Sequence, residues 1–420
     1  MTRRRTEGTS ASIRGKAGRL LLALATAPIL AACGHFVPSP GDDPLALPSE
    51  ALAPPAARYA DAVEYVQLLA RNLIIDENLP GVSIAVGIDG KLAWAEALGW
   101  ADLRERVPLR PRTRFRIGGL SKPITAAAVG LLHQRGLIDL DAPVRKYLTG
   151  FPEKRWPVTT RQLMGHVAGL GHYGGGEASQ INPDDSPVAH RPSCTAVTDA
   201  FDIFASDPLL FEPGTSYSYS SYGWVLVSAV VAAAAGEPFL DFMDREVFAA
   251  LEMQDTRLDA PGGPTGRHGH TVPKRANLYF PAFAMKTRHG LQDAPNIDHT
   301  CLWGADGFIS TPIDLVRFGL AMSRDDRLEP GTIELLRTEG RLESGQPTGY
   351  GLGWYVRRVP LNGRQVGVIG HGGSVVGGST SFTIFPDQGL VIAVTSNVSF
   401  AEEAVRSLAL AAAEAFAGRE

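Results

Sequence analysis

Two blocks of strand-forming sequence stand at opposite ends of this chain, and the long interval between them reads differently. In the first, 82–99, Val82, Ile84 and Val86 alternate with small residues, the chain turns at Asp89-Gly90, and Leu92 and Trp94 follow. That is the pattern of a tight hairpin. The second block holds extended segments at 351–359, 365–369, 379–385 and 390–396, the last entered through Pro386-Asp387-Gln388-Gly389. Between the blocks lie helical stretches near 200–204, 222–235, 239–251 and 312–322, the second stopped by Gly236. The segment 260–298 is rich in Gly, Pro, Arg and His, lacks periodicity and reads as a long loop. Helices at 56–78, with Tyr59, Val63, Val66, Leu69 and Leu73 on one side, and at 402–417, with Val405, Leu408 and Ala412, bracket the whole. The expectation is an α/β (α+β) fold. One antiparallel sheet is built from both ends of the chain (about 58–115 and 345–418) and flanked by helices, with a mainly helical lobe (about 118–340) inserted.

Composition narrows the functions. With 420 residues, 44% hydrophobic and 20% charged, the chain can bury a large core. A net charge of −4 gives no reason to expect nucleic acid or an anionic membrane surface as partner. Arg3, Arg4, Arg5, Arg14, Lys16 and Arg19 precede the apolar run 20–30, which is too short to span a bilayer and suits a signal peptide. It ends in Leu30-Ala31-Ala32-Cys33, which resembles a bacterial lipoprotein cleavage box. The resemblance implies a signal peptide at 1–32, a lipid anchor on Cys33, a flexible tether at 33–57 and a domain at 58–418. The protein would then be exported and membrane-anchored, facing the periplasm or cell exterior. Cys194 and Cys301 could form a disulfide in such a compartment or remain two buried thiols.

The chemistry gathers around Phe115-Arg116-Ile117-Gly118-Gly119-Leu120-Ser121-Lys122. A helix starting near Gly119 and running to about Arg135 would put residues 119 and 122 on one face, one turn apart. The segment resembles the Ser-x-x-Lys nucleophile segment of the penicillin-recognising serine hydrolases, with Gly119 in the serine's place. Further on, Pro213-Gly214 through Tyr219-Ser220-Ser221 resembles that family's Tyr-x-Asn run, with Tyr219 as the tyrosine and Ser221 in the asparagine's place. The triplet His371-Gly372-Gly373 resembles its Lys-Thr-Gly or His-x-Gly strand. Trp303 to Thr311 resembles its "AGGLxST" segment, with Asp306 replacing a glycine, and Gly349 to Trp354 resembles its "YGLGW" strand. The run His166-Val167-Ala168-Gly169-Leu170-Gly171-His172-Tyr173, together with Ser221, resembles the LACTB-type, peptidase-like branch of the class C β-lactamase relatives.

The resemblance implies a serine hydrolase acting by acyl transfer on a peptide, ester or β-lactam, with no metal or cofactor and a small-molecule or peptide substrate. Lys122 and a Tyr219 phenol of lowered pKa would activate a nucleophile at 119. His371 would position the substrate through a positive or donor group, and the glycines beside it would let substrate approach. The N–H groups of residues 119 and 374 would hold the oxyanion, with Ser221, Gly373 and Ser374 lining the site. Ser121 points about 200° around a helix from residue 119 and reads as packing. His268 and His270, with His289 or His299, read as a solvated loop rather than a metal pair.

Gly119 keeps the geometry and lacks the attacking atom. Losing the nucleophile of a serine protease costs about 10⁶ in turnover, so this chain is expected to be inactive or severely impaired; the alternative is a non-catalytic binder of a cell-wall peptide or similar ligand. A buried lysine with no partner is costly to keep. The joint survival of Lys122, Tyr219 and His371 therefore points to a recent or engineered loss.

Overall fold

A computed structural model describes residues 36–173, 193–259, 275–283, 285–295, 297–323 and 327–417. The expected sheet is present. Its strands are β1 (Ser49–Ala51), β2 (Gly81–Ile88), β3 (Lys91–Asp102), β4 (Tyr355–Leu361), β5 (Arg364–Val375), β6 (Gly378–Phe385) and β7 (Leu390–Ser396), in the order β4-β5-β6-β7-β2-β3-β1, all antiparallel. The two ends of the chain meet where β7 pairs with β2, Ile392 opposite Val86. The β2–β3 hairpin turns at Asp89 and Gly90, both with positive φ (49° and 78°), as its Asp-Gly pair predicts.

Alternation along β2 divides the interior. Ile84 and Val86 face a core shared with α1 (Ala60–Asp76) and α5 (Glu402–Ala417), through Val63, Val66, Val405 and Leu408. Ala85 faces the other core, with α2 (Ser121–Gln134), α3 (Ser221–Ala235) and α4 (Pro312–Ala321). The small side chain there gives helices room to approach the sheet. Residues 121–132 are buried without exception, so α2 is the central helix.

Two expectations need correction. The segment 33–57 is no loose tether from residue 36 onward. β1 extends the sheet edge, and Phe36–Val37 pairs with Leu291–Asp293. Pro- and Ala-rich chain can dock without regular structure because side chains satisfy its carbonyls. Arg71 donates to the oxygens of Pro44 and Leu47 (3.1 and 2.7 Å), and Trp100 and Arg106 each donate to that of Pro40 (2.9 Å). The expected loop at 260–298 contains two strands, Tyr279–Pro281 and Leu291–Asp293, too short for any period to register. Cys33, the apolar run before it, His268 and His270 lie outside the described residues. His289 is exposed, whereas His299 is buried rather than solvated, and burial holds its imidazole well below the usual histidine range.

The open alternatives for the cysteines resolve in favour of a disulfide, with Cα atoms 5.0 Å apart. It ties residue 194 to the segment leading into the short helix Trp303–Asp306. A small three-stranded sheet then sets Phe308–Ser310 between Phe115–Arg116 and Arg257–Leu258. That pairing brings residues 118–122 beside 303–306.

Candidate active site

Gly118–Leu120 forms a 3₁₀ turn, and α2 begins only at Ser121. Residues 119 and 122 therefore lie on either side of the junction between the turn and the helix. Gly118 has φ +51°, and a Cβ on it would stand 3.2 Å from the backbone N of Ser374, so the turn lies against β5. Ser121 is buried, and its Oγ accepts from Phe308 N (3.3 Å). It is packing, as expected.

The direction of the missing side chain at 119 is informative. A Cβ built on Gly119 would lie 2.7 Å from Tyr219 Oη, 3.0 Å from His371 Cε1 and 3.3 Å from Gly372 O. Three segments far apart in sequence therefore converge on the spot where a side chain at 119 would project. Tyr219 precedes α3, whose N-cap Ser220 accepts from Gly223 N through Oγ (3.0 Å). Its phenol is not activated in the expected way. Burial pushes its pKa well above 10, and the Lys122 ammonium lies 4.7 Å above the ring centroid. Tyr219 is therefore a neutral phenol with a cation on its face.

His371 is likewise no cation. Burial, then the Lys122 charge, pull its pKa down to about 3. Nδ1 lies 2.5 Å from Gly372 O, and a carbonyl only accepts, so the proton sits on Nδ1. Nε2 is left to accept from the Tyr350 hydroxyl, 2.9 Å away. Gly373 is demanded by the chain itself rather than by substrate, since a Cβ there would stand 1.9 Å from Ile117 O. Gly372 is exposed and meets nothing nearer than 3.8 Å, and Ser374 is exposed beside it.

Lys122 departs furthest from expectation. Its side chain is fully buried yet fully partnered. Nζ donates to Ser221 Oγ (3.0 Å), Ala305 O (2.9 Å) and Asp306 Oδ1 (3.0 Å). An ammonium has three N–H groups, and all three are occupied. Burial lowers the Lys122 pKa and raises that of Asp306, while their mutual attraction opposes both shifts. The costly unpaired lysine assumed from sequence does not exist, and the case for a recent or engineered loss goes with it.

Two histidines from the 166–173 run hold the tyrosine loop, a role that sequence reasoning did not assign. His166 Nδ1 accepts from Ser220 N (3.0 Å), and His172 Nδ1 accepts from Ser221 N (3.2 Å). The His166 ring lies 4.2 Å from that of Tyr219. Burial holds both imidazoles neutral, His172 at about 4 and His166 well below the usual range. Their six-residue spacing was visible in the sequence; the acceptor role depends on a backbone bend at His166, φ +60°.

The beta-lactamase family model matches residues 63–417. The chain is 30% identical over 335 residues to the serine beta-lactamase-like protein LACTB, mitochondrial, of Bos taurus, a match covering 64% of this chain and 58% of that protein. It is 28% identical over 318 residues to penicillin-binding protein 4* of Bacillus subtilis, covering 73% of this chain and 66% of that one. The octameric penicillin-binding protein homologue from Pyrococcus abyssi superposes with a TM-score of 0.69 at 21% identity, over 85% of this chain and 78% of that one. The family model spans most of the chain, and the chain belongs to the beta-lactamase family.

Proposed function

We propose that this cleft is an acyl-transfer site for an ester, amide or peptide bond that lacks its nucleophile, so that the protein binds such compounds without turning them over at a useful rate. The observation that carries this reading is the projection of a side chain from residue 119 straight at Tyr219 Oη and His371. In the parent chemistry a hydroxyl at 119 would lose its proton to Lys122, as the free amine, while its oxygen bonded the acyl carbon. The same proton would then pass to the leaving group as the scissile bond broke. The N–H groups of residues 119 and 374 would face the oxyanion, and glycine at 119 keeps its own. His371, neutral and bonded to Tyr350, would shape the cleft wall rather than supply charge.

The pairing of Lys122 with Asp306 favours the second reading carried from the sequence, a non-catalytic binding protein. A site whose lysine is neutralised from within has no need of a serine to be stable. Intact-mass analysis after treatment with penicillin or a fluorophosphonate separates the readings. The protein as it stands should gain no mass, and a variant with serine restored at 119 should gain one adduct at that residue. An adduct at Ser121 in the unaltered protein would sink the proposal. Cys33 is proposed as the anchor of an exported lipoprotein, on its cleavage-box sequence; mass spectrometry of membrane-extracted protein should find it acylated.

A further inference from the structure

We infer that Asp306 is a positioning residue that withholds Lys122 from proton transfer, so that the site is disabled at two positions rather than one. The inference rests on the acyl-transfer reading above. Its basis is the donor count at Lys122: Ser221 Oγ, Ala305 O and Asp306 Oδ1 take all three N–H groups at 2.9–3.0 Å, and the side chain is fully buried. A lysine acts as a base only after losing a proton, and a carboxylate at 3.0 Å opposes that loss. The other titratable groups around Lys122 do not counter Asp306. Tyr219 offers a ring face and Tyr355 is a phenol kept protonated by burial. His166, His172 and His371 are held neutral. Asp306 is thus the one carboxylate acting on this ammonium among the described residues.

Its backbone location makes the hold rigid. Asp306 ends the short helix Trp303–Asp306, which is entered through Trp303 at φ +41° and continues into the strand Phe308–Ser310. Two residues before Trp303, Cys301 is bonded to Cys194. Ala305 O and Asp306 Oδ1 therefore approach Lys122 from one short, doubly tethered segment.

The test compares Gly119→Ser with Gly119→Ser/Asp306→Gly, both checked for fold by circular dichroism and treated with a fluorophosphonate. In the labelling step the introduced oxygen bonds phosphorus, the P–F bond breaks, fluoride leaves, and the hydroxyl proton passes to the lysine amine. Proton transfer to a positioned base is worth about 10²–10⁴-fold. The double variant should label at least ~10²-fold faster than the single one. Its rate should also rise at lower pH, because its lysine loses a proton more readily without the carboxylate. A purely structural role for Asp306 would predict neither change. If Asp306→Gly impairs folding, Gly119→Ser/Asp306→Asn removes the charge at nearly constant volume and should show the same direction. Equal labelling of single and double variants overturns the inference and leaves the acyl-transfer reading standing. Failure of every folded variant to label overturns that reading, and the inference with it.

Discussion

Asp306→Asn, in the protein as it stands, tests how much the ion pair contributes to the fold. Neither side chain reaches solvent appreciably: Lys122 is 0% exposed and Asp306 9%. Removing one partner of a buried pair costs about 3–5 kcal/mol, because the other charge stays behind. Lys122 can escape part of that cost by shedding its proton. Discharging a lysine of ordinary pKa 10.5 at pH 7 takes about 1.4 kcal/mol per pH unit, or roughly 5 kcal/mol, which bounds the loss from above. Against a total stability of about 5–15 kcal/mol, a loss of 3–5 kcal/mol is readily measured by urea unfolding. Two internal controls follow. Lys122→Met/Asp306→Leu should cost less than the sum of the single changes by at least ~2 kcal/mol, since apolar replacement leaves no stranded charge. In Asp306→Asn the folded lysine pKa lies below its unfolded value, so the unfolded state binds more protons and stability rises with pH. The gain should be up to about 1.4 kcal/mol per unit between pH 7 and pH 9. A loss below about 1 kcal/mol at pH 7, or strict additivity in the cycle, would refute the assignment of Lys122 as a buried cation held by Asp306.

Three further outcomes are expected. Gly373→Ala should lower stability by about 1–3 kcal/mol or more, because its Cβ would meet Ile117 O at 1.9 Å, whereas Gly372→Ala meets nothing within 3.8 Å and should be tolerated in thermal unfolding. Reduction of Cys194–Cys301, which spans 107 residues, should destabilise by about 4–5 kcal/mol on loop entropy, read as a lower urea midpoint in dithiothreitol; an unchanged midpoint contradicts it. His172 and His371 titrate at about 4 and about 3 when folded, against 6.5 unfolded. The unfolded chain therefore binds more protons below pH 6.5, and each should cost about 1.4 kcal/mol per unit as pH falls from about 6.5 toward 4. His172→Gln should flatten that slope.

The parts of this protein legible in sequence are those where one local pattern has one physical solution. Alternation at 82–99 and 351–396 produced the sheet, and its two-sided burial explains why small residues interleave with Ile84 and Val86. The spacing of Gly119 and Lys122, the helix start after Tyr219 and the strand carrying His371 pointed to residues that the fold brings together, because each sits where a regular element meets a turn. Charge states were not legible. The phenol of Tyr219 is expected from sequence to have a lowered pKa and His371 to offer a positive or donor group, whereas burial raises the phenol and keeps the imidazole neutral. Nor could spacing reveal the acceptors on Ser220 and Ser221 N–H, which depend on a left-handed residue at His166. The Ser49–Ala51 strand was hidden because three residues carry no measurable period, and its attachment depends on partners far along the chain, Leu98 opposite Ser49 and Arg71 on the Ser49 hydroxyl.

Gly119 and Asp306 make better sense together than apart. With a hydroxyl at 119 and glycine at 306, Lys122 would have a side-chain acceptor in the nucleophile and reason to give up its proton. With glycine at 119 alone, the same ammonium would be buried with Ser221 and Ala305 and lack a third acceptor, a state worth several kcal/mol of destabilisation for a desolvated charge. Asp306 fills that vacancy at 3.0 Å and neutralises the charge besides. A single engineered letter would need no such partner, because the rest of the site would still be tuned for a serine. The carboxylate therefore gives Lys122 a charged partner where residue 119 offers none, and the buried pair holds residues 122, 221 and 305–306 together.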